Sequence, residues 1–220
     1  MNARDFKNKI YNELASITKA LANPHRLEII ELLAQGPSPV ETIAENTGLS
    51  IANASQHLQT LKSARLVEME KRGKYSFYSL QSSGVFELWK TLRDLGFAQN
   101  AQIDKLLQDF RKSRHNLESV NSDELLERIE QGVALVLDVR PREEYEAGHI
   151  VSALSIPQNE LIENLKSLPK NKEIIAYCRG PLCAMADDAI KLLNEYGYRA
   201  TRLESGYPEW EINGLPTIQG

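Results

Sequence analysis

Cysteine is scarce in this 220-residue chain, which has only Cys178 and Cys183. The two stand too close together to staple a domain, and such a pair in a reducing compartment is more often redox-active or metal-binding than architectural. Histidine is scarce too, with four residues, and none lies in the segment between the cysteines. A closed zinc site needs about four ligands, so no metal is expected at this pair. Long apolar runs are absent: nothing approaches the roughly 20 residues needed to cross a bilayer. The opening MNARDFKNKIYNELASI carries acidic residues and lacks an apolar core followed by a small-residue cleavage site. The expectation is a cytoplasmic protein with no membrane partner. No internal repeat is seen.

What is present is ordinary for a folded protein, with 42% apolar and 25% charged residues. The length accommodates two domains of about 100 residues each. The net charge of −4 is unevenly spread. Residues 1–118 hold 16 Lys and Arg against 13 Asp and Glu, whereas 119–220 hold 10 against 17. The acidic half is a poor nucleic-acid surface, and the other half is the candidate for one. The polar run RKSRHNLESVNSDE (111–124) marks the boundary, giving expected domains of 1–118 and 119–220.

In the first half, Phe6, Ile10, Leu14, Ile17 and Leu21 recur at helical spacing. Asn23-Pro24 ends that helix and opens HRLEIIELLAQG, which stops at Gly36. Ser38-Pro39 leads into the short helix VETIAENTG, and Ser50 is placed to cap IANASQHLQTLKSA. Two short helices around a Gly-containing turn are a helix-turn-helix signature. LVEMEKRGKYSFYSL then reads as a hairpin, or wing, turning at Lys71-Arg72-Gly73-Lys74. Residues 83–117 return to helical periodicity, as one or two helices that either pack on their own domain or carry a dimerisation stripe.

A helix that reads DNA needs short polar side chains toward the major groove and an apolar face toward its domain. Ala54, Leu58 and Leu61 supply the inward side. Ser50, Ala52, Asn53, Ser55, Gln56 and Gln59 are the candidates for contact with double-stranded DNA. Wing residues Lys71, Arg72 and Lys74 suit the phosphate backbone or minor groove. The same features also describe a three-helix bundle with a solvated polar face.

KALANPHRLEIIELLAQGP and VETIAENTGLSIANASQHLQTLKSARLVEMEKRGKYSFYSL resemble the ArsR family of winged-helix bacterial repressors. The resemblance implies a homodimer built on the first and last helices of the domain, bound to a palindromic operator and released by an inducer. Many members sense metals, but VETIAEN contains no Cys or His. In the C-terminal helical region Asp104, His115 and Glu118 stand with Leu106 where a further ligand would be useful. No metal and no cofactor are expected.

In the second half, ALVLDVR (134–140) and EIIAYC (173–178) are short apolar runs flanked by helical segments near 122–131, 142–147, 158–167 and 183–196. A further strand is expected from Tyr198 to Leu203. The rhythm is that of an α/β domain with a mostly parallel central sheet. It places Cys178 at a strand end, before the loop RGPLCA and the helix MADDAIKLLNEYG. Backbone N–H groups of Arg179, Gly180, Leu182, Cys183 and Ala184, with a helix N-terminus behind them, form an expected anion cradle. Such a cradle lowers a thiol's pKa and readies it as a nucleophile. An inert buried cysteine is the alternative.

The segments DVRPREEYEAGHIVSALSIP, YCRGPLCA and LESGYPEW resemble the rhodanese domain, a sulfurtransferase module, across 120–213. The resemblance implies that Cys178 accepts a sulfane sulfur and passes it to a nucleophile. Arg140, Glu144 and His149 read as scaffold, the first two as an ion pair. Two departures stand out: Pro181 removes one N–H from the loop, and Ser205 replaces the first of a customary Gly-Gly. Phosphatases of this fold pair Cys with Arg six residues later; residue 184 is Ala, which argues against phosphoryl transfer. Cys183 is the distinctive addition, and the expected order is Cys178 taking sulfur first, with Cys183 attacking or shielding the persulfide. The donor would be thiosulfate, a polysulfide or a low-molecular-weight persulfide. Three readings of the whole chain stay open: a repressor sensing reactive sulfur, a sulfurtransferase whose winged helix regulates its own operon, and an interaction module without turnover.

Overall fold

The computed structural model describes residues 1–112 and 118–220. The chain divides into two compact units, Met1–Leu92 and Arg93–Gly220.

The first unit is built from α1 (Ala3–Leu21), α2 (Pro24–Leu33), β1 (Ser38–Pro39), α3 (Val40–Thr47), α4 (Ile51–Ser63), β2 (Val67–Arg72), β3 (Tyr75–Leu80) and the start of α5 (Ser83–Gln99). Asparagine side chains start two of these helices: Asn2 accepts from the Asp5 N–H at 2.8 Å, and Asn23 from that of Arg26. Pro24 then occupies the first turn of α2, where its missing N–H costs nothing. Gly48, at φ 65°, closes α3 in the left-handed conformation that glycine adopts without strain. Ile29, Ile30, Leu33, Ile43, Leu58, Leu61 and Tyr78 are all buried and form the core that α2, α3, α4 and β3 share. Ser38-Pro39, expected as a plain lead-in to α3, pairs antiparallel with Phe77 and Tyr78 instead, extending the wing to three strands in the order β1-β3-β2.

The periodicity after residue 83 resolves into α5 and α6 (Ala101–Lys112), broken at Asn100, whose side chain accepts the Gln102 N–H at 3.0 Å. The expected helical stretch up to 117, with His115, runs beyond the described residues.

The second unit holds a five-stranded sheet, entirely parallel, in the order β4-β9-β8-β5-β7. In chain order its elements are β4 (Ser119–Val120), α7 (Ser122–Glu130), β5 (Ala134–Asp138), α8 (Arg142–Ala147), β6 (Gly148–Ile150), β7 (Leu154–Ser155), α9 (Leu161–Asn164), β8 (Glu173–Tyr177), α10 (Met185–Glu195), β9 (Ala200–Leu203), α11 (Tyr207–Ile212) and β10 (Thr217–Gln219). The helix expected at 158–167 is α9 between two 3-10 turns. β6 and β10 form a separate antiparallel pair. One face of the sheet packs on α9 and α10 through Leu161, Ala189, Ile190 and Leu193. The other packs on α7 and α11 through Leu125, Tyr207 and Trp210. Strands covered on both faces read as continuous apolar runs, which is why β5 and β8 are plain in the sequence. Buried Arg202 on β9 bonds Asp187 on α10 at 2.8 Å and fastens the start of that helix to the sheet.

Candidate functional site

Two surfaces carry the candidate residues. On the first unit, Ser50 caps α4 by accepting the Asn53 N–H at 3.3 Å. Ala54, Leu58 and Leu61 are fully buried, which turns the opposite face outward. Ala52, Asn53, Gln56 and Gln59 are exposed and Ser55 is half-buried. Gln59 leans back on β3, its Nε2 lying 3.5 Å from the Tyr78 hydroxyl. The wing turns through Gly73-Lys74 between the paired Arg72 and Tyr75, with Gly73 at φ 63° as a tight two-residue loop requires. Lys71, Arg72 and Lys74 are all exposed, and Arg72 is held by Glu70 at 2.8 Å. His57, also on α4, does not stand out in the sequence. Burial, Arg26 and the nearby His25 ring, 5.5 Å away, lower its pKa.

On the second unit, β8 lies at the centre of the sheet and delivers Cys178 just beyond its last residue, Tyr177. The crevice at the carboxyl ends of parallel strands is the usual place for a site in such a sheet. Cys178 is 2% exposed, and its Sγ lies 3.6 Å from the Cys183 carbonyl oxygen and 3.9 Å from that of Gly180. The loop bends back on itself where the Cys183 N–H donates to the Gly180 carbonyl at 3.1 Å. That bond occupies one expected cradle donor. Backbone hydrogen bonding from Gly180 and Ala186 acts to lower the Cys178 pKa, and that from Arg179 and Met185 to lower that of Cys183. Met185 and Ala186 lie outside the cradle expected from the sequence. They belong to the first turn of α10, whose free N–H groups follow from helix geometry once the register is known.

The two thiols differ. Burial pushes Cys178 up, and its hydrogen bond to Cys183 adds to the rise. The same bond, from the receiving side, brings Cys183 down to about 7, helped by the Arg179 and Met185 N–H groups and the Arg179 charge. Burial raises the Cys178 thiol because the strand end lies deep in the core, and the thiol lowered is Cys183. Alkylation of Cys183 should therefore rise with pH through a midpoint near 7. Cys178→Ala removes the donated S–H and should move that midpoint upward, as read by pH-dependent iodoacetamide labelling.

Arg140, expected to pair with Glu144, takes Asp138 as a salt-bridge partner, and the Glu144 charge adds to the upward shift of its pKa. Arg140, fully buried, turns to Asp138, donating from Nη2 at 2.7 Å and from its own backbone N–H at 2.9 Å. It also donates to the Gly148 carbonyl at 2.8 Å and stacks on the rings of Tyr177 and Tyr207. Asp138 in addition accepts from the Tyr177 hydroxyl. Glu144 reaches Arg179 in the cysteine loop, accepting from Nε at 3.0 Å and from Nη2. His149 stacks on Tyr145 with ring centroids 3.7 Å apart.

The closing segment LESGYPEW supports the loop from behind. A Cβ on Gly206 would stand 2.3 Å from the Arg179 carbonyl carbon and 2.5 Å from the Gly180 nitrogen, so only glycine fits. Ser205 places its Oγ 3.3 Å from that of Ser122, a hydroxyl contact that accommodates the departure from Gly-Gly. Glu209 binds the Gly206 N–H at 3.0 Å and Arg93 Nη1 at 2.6 Å, both side chains being buried.

A winged helix with an exposed recognition helix, and a parallel sheet with a cysteine loop at its centre, define a DNA-binding regulator joined to a rhodanese-type domain. Comparisons with known proteins agree. Residues 21–70 match the helix-turn-helix domain family and 121–213 the rhodanese-like domain family. The HTH-type transcriptional regulator Rv0324 of Mycobacterium tuberculosis is 39% identical over 216 residues, spanning 98% of this chain and 95% of that protein. The putative sulfurtransferase YtwF of Bacillus subtilis is 32% identical over 101 residues, 46% of this chain and 96% of its own length. Among solved structures, the homodimeric winged helix-turn-helix domain Mb0332 of Mycobacterium bovis is 36% identical, with a TM-score of 0.42 over 46% of this chain and 91% of that one. The chain belongs to the ArsR-type helix-turn-helix regulators that carry a C-terminal rhodanese-like domain.

Among the described residues, no group of three or more His, Cys, Asp and Glu side chains is arranged to hold a metal ion. No described helix is long and apolar enough to cross a membrane.

Proposed function

We propose that the protein is a homodimeric operator-binding repressor whose rhodanese-like domain (119–220) carries a persulfide on Cys178 and senses reactive sulfur. The 1–118 domain supplies DNA binding and dimerisation. The observation that carries the reading is a buried thiol, Cys178, at the end of the central strand with a second thiol, Cys183, on the same short loop, in one chain with an exposed polar face on α4. A thiol loop serving turnover alone has no need of a covalently attached winged helix. The recognition face is Ser50, Ala52, Asn53, Ser55, Gln56 and Gln59, with Lys71, Arg72 and Lys74 on the flanking backbone. Dimerisation is supported by apolar residues left exposed at helical spacing: Phe6, Ile10 and Leu14 on α1, and Leu88 and Leu92 on α5. A two-fold dimer would set two recognition helices about one DNA turn apart.

The sulfur donor is a small persulfide, polysulfide or thiosulfate. A sensor must hold the operator with different affinity in its two sulfur states. In a fluorescent operator titration, persulfide treatment is expected to change affinity by roughly 5–150-fold, the usual span of allosteric coupling. Cys178→Ser should abolish the change while leaving basal affinity intact. Constant affinity, with sulfur passed to cyanide or a thiol, would instead make the protein a sulfurtransferase whose winged helix only regulates its own operon.

A further inference from the structure

The site holds two sulfurs in unlike positions, and this bears on how sulfur enters. Cys178 is buried beneath the loop, and its Sγ faces the carbonyl oxygens of Gly180 and Cys183, which favour a protonated thiol. Cys183 is half-buried, next to exposed Leu182 and one residue before the N-cap of α10. Arg179, held by Glu144, lends it positive charge. A donor approaching from solvent meets the Cys183 side of the loop first. The nucleophile in sulfur exchange is the thiolate, so the outer, more acidic sulfur is also the more reactive one.

Resting on the persulfide reading above, we propose that sulfur enters through Cys183 and reaches Cys178 in a second, internal step. In the first step the Cys183 thiolate attacks the sulfane sulfur of a low-molecular-weight persulfide, R–S–SH. A Cys183–S–SH bond forms, the donor S–S bond breaks, and R–S⁻ leaves with the electron pair. In the second step the Cys178 sulfur attacks the outer sulfur of that persulfide. Its proton passes to the departing Cys183 sulfur as that sulfur takes up the electron pair of the broken S–S bond. The products are Cys178–S–SH and Cys183–SH, and no outside oxidant or reductant is consumed. The order is opposite to the one the sequence suggested. Burial then becomes useful, because a persulfide on Cys178 is shielded from reducing thiols in solution.

The chain permits a direct test, since trypsin cleaves after Arg179 and places the two cysteines on separate peptides. The full-length protein is mixed with glutathione persulfide, quenched at intervals with an alkylating agent and digested. The expected result is a one-sulfur mass increase on the Cys183 peptide first and on the Cys178 peptide later. Cys178→Ser should trap the added sulfur on Cys183 without slowing its arrival. Cys183→Ser should slow loading of Cys178 by about tenfold or more, from the lost outer thiolate. Early loading of Cys178 in the unaltered protein, or an undiminished rate in Cys183→Ser, overturns the proposed order while leaving the persulfide reading intact. Absence of added sulfur on either peptide sinks both.

Discussion

Replacing Asp138 with alanine is expected to destabilise the C-terminal unit by about 3–5 kcal/mol, the cost of stranding a buried charge without its partner. Asp138 and Arg140 are both fully buried, and the aspartate takes hydrogen bonds from the Arg140 side chain, the Arg140 N–H and the Tyr177 hydroxyl. Arg140 would lose the carboxylate to which its guanidinium donates, while keeping the Gly148 carbonyl and the two tyrosine faces. A loss of that size takes up a large part of the roughly 5–15 kcal/mol that holds a typical domain folded. Urea unfolding of the full chain checks it, with the transition of the C-terminal unit moving to lower denaturant and that of the N-terminal unit unmoved. Replacing both residues together with apolar ones of similar volume should cost far less than Asp138→Ala alone, because no charge is stranded. Equal losses in the single and double variants would mean that the ion pair is not what the core depends on.

The second large effect concerns the wing. Changing Lys71, Arg72 and Lys74 to glutamate is expected to lower operator affinity by orders of magnitude at low salt. It should also flatten the dependence of log K on log salt by roughly 0.9 for each phosphate that is no longer neutralised. The three side chains are exposed around the Gly73-Lys74 turn, where a hairpin can reach the DNA backbone. Gln56→Ala should behave differently. A side chain that reads a base edge contributes about 1–3 kcal/mol of discrimination, so sequence preference falls while the salt slope stays. Fluorescence anisotropy at several salt concentrations separates the two outcomes, and an unaltered slope in the triple variant would remove the wing from the phosphate backbone.

Much of this architecture is visible in the residues. Ala54, Leu58 and Leu61 announce the inward side of α4, and Ser50 its cap, because both follow from helix period and local hydrogen bonding. The strands at the middle of the parallel sheet are visible for a different reason, their burial on two faces. Elements that owe their existence to a partner are not visible. The two-residue strands β1, β4 and β7 have no period of their own and form only because a longer neighbour offers its edge.

The site is legible in its residue types and not in its pairings. Arg140 and Glu144 lie close enough in sequence to suggest a pair, yet Arg140 folds back on Asp138, while Glu144 crosses to Arg179, 35 positions along the chain. The contrast between the thiols is equally hidden. Proximity to a helix N-terminus is readable from sequence, whereas the depth of Cys178 in the core is a property of the assembled sheet.

Gly206 has a consequence for how this family can vary. Any amino acid that replaces a glycine adds a side chain. At this position the first added carbon collides with the backbone of Arg179 and Gly180, directly behind the cysteines. Its neighbour Ser205 has a hydroxyl partner in Ser122. The two adjacent positions therefore differ, one closed to any side chain and the other holding a serine with a hydroxyl partner. A lineage could abandon the Gly-Gly pair by half, and the half it keeps is the one that lets the loop approach.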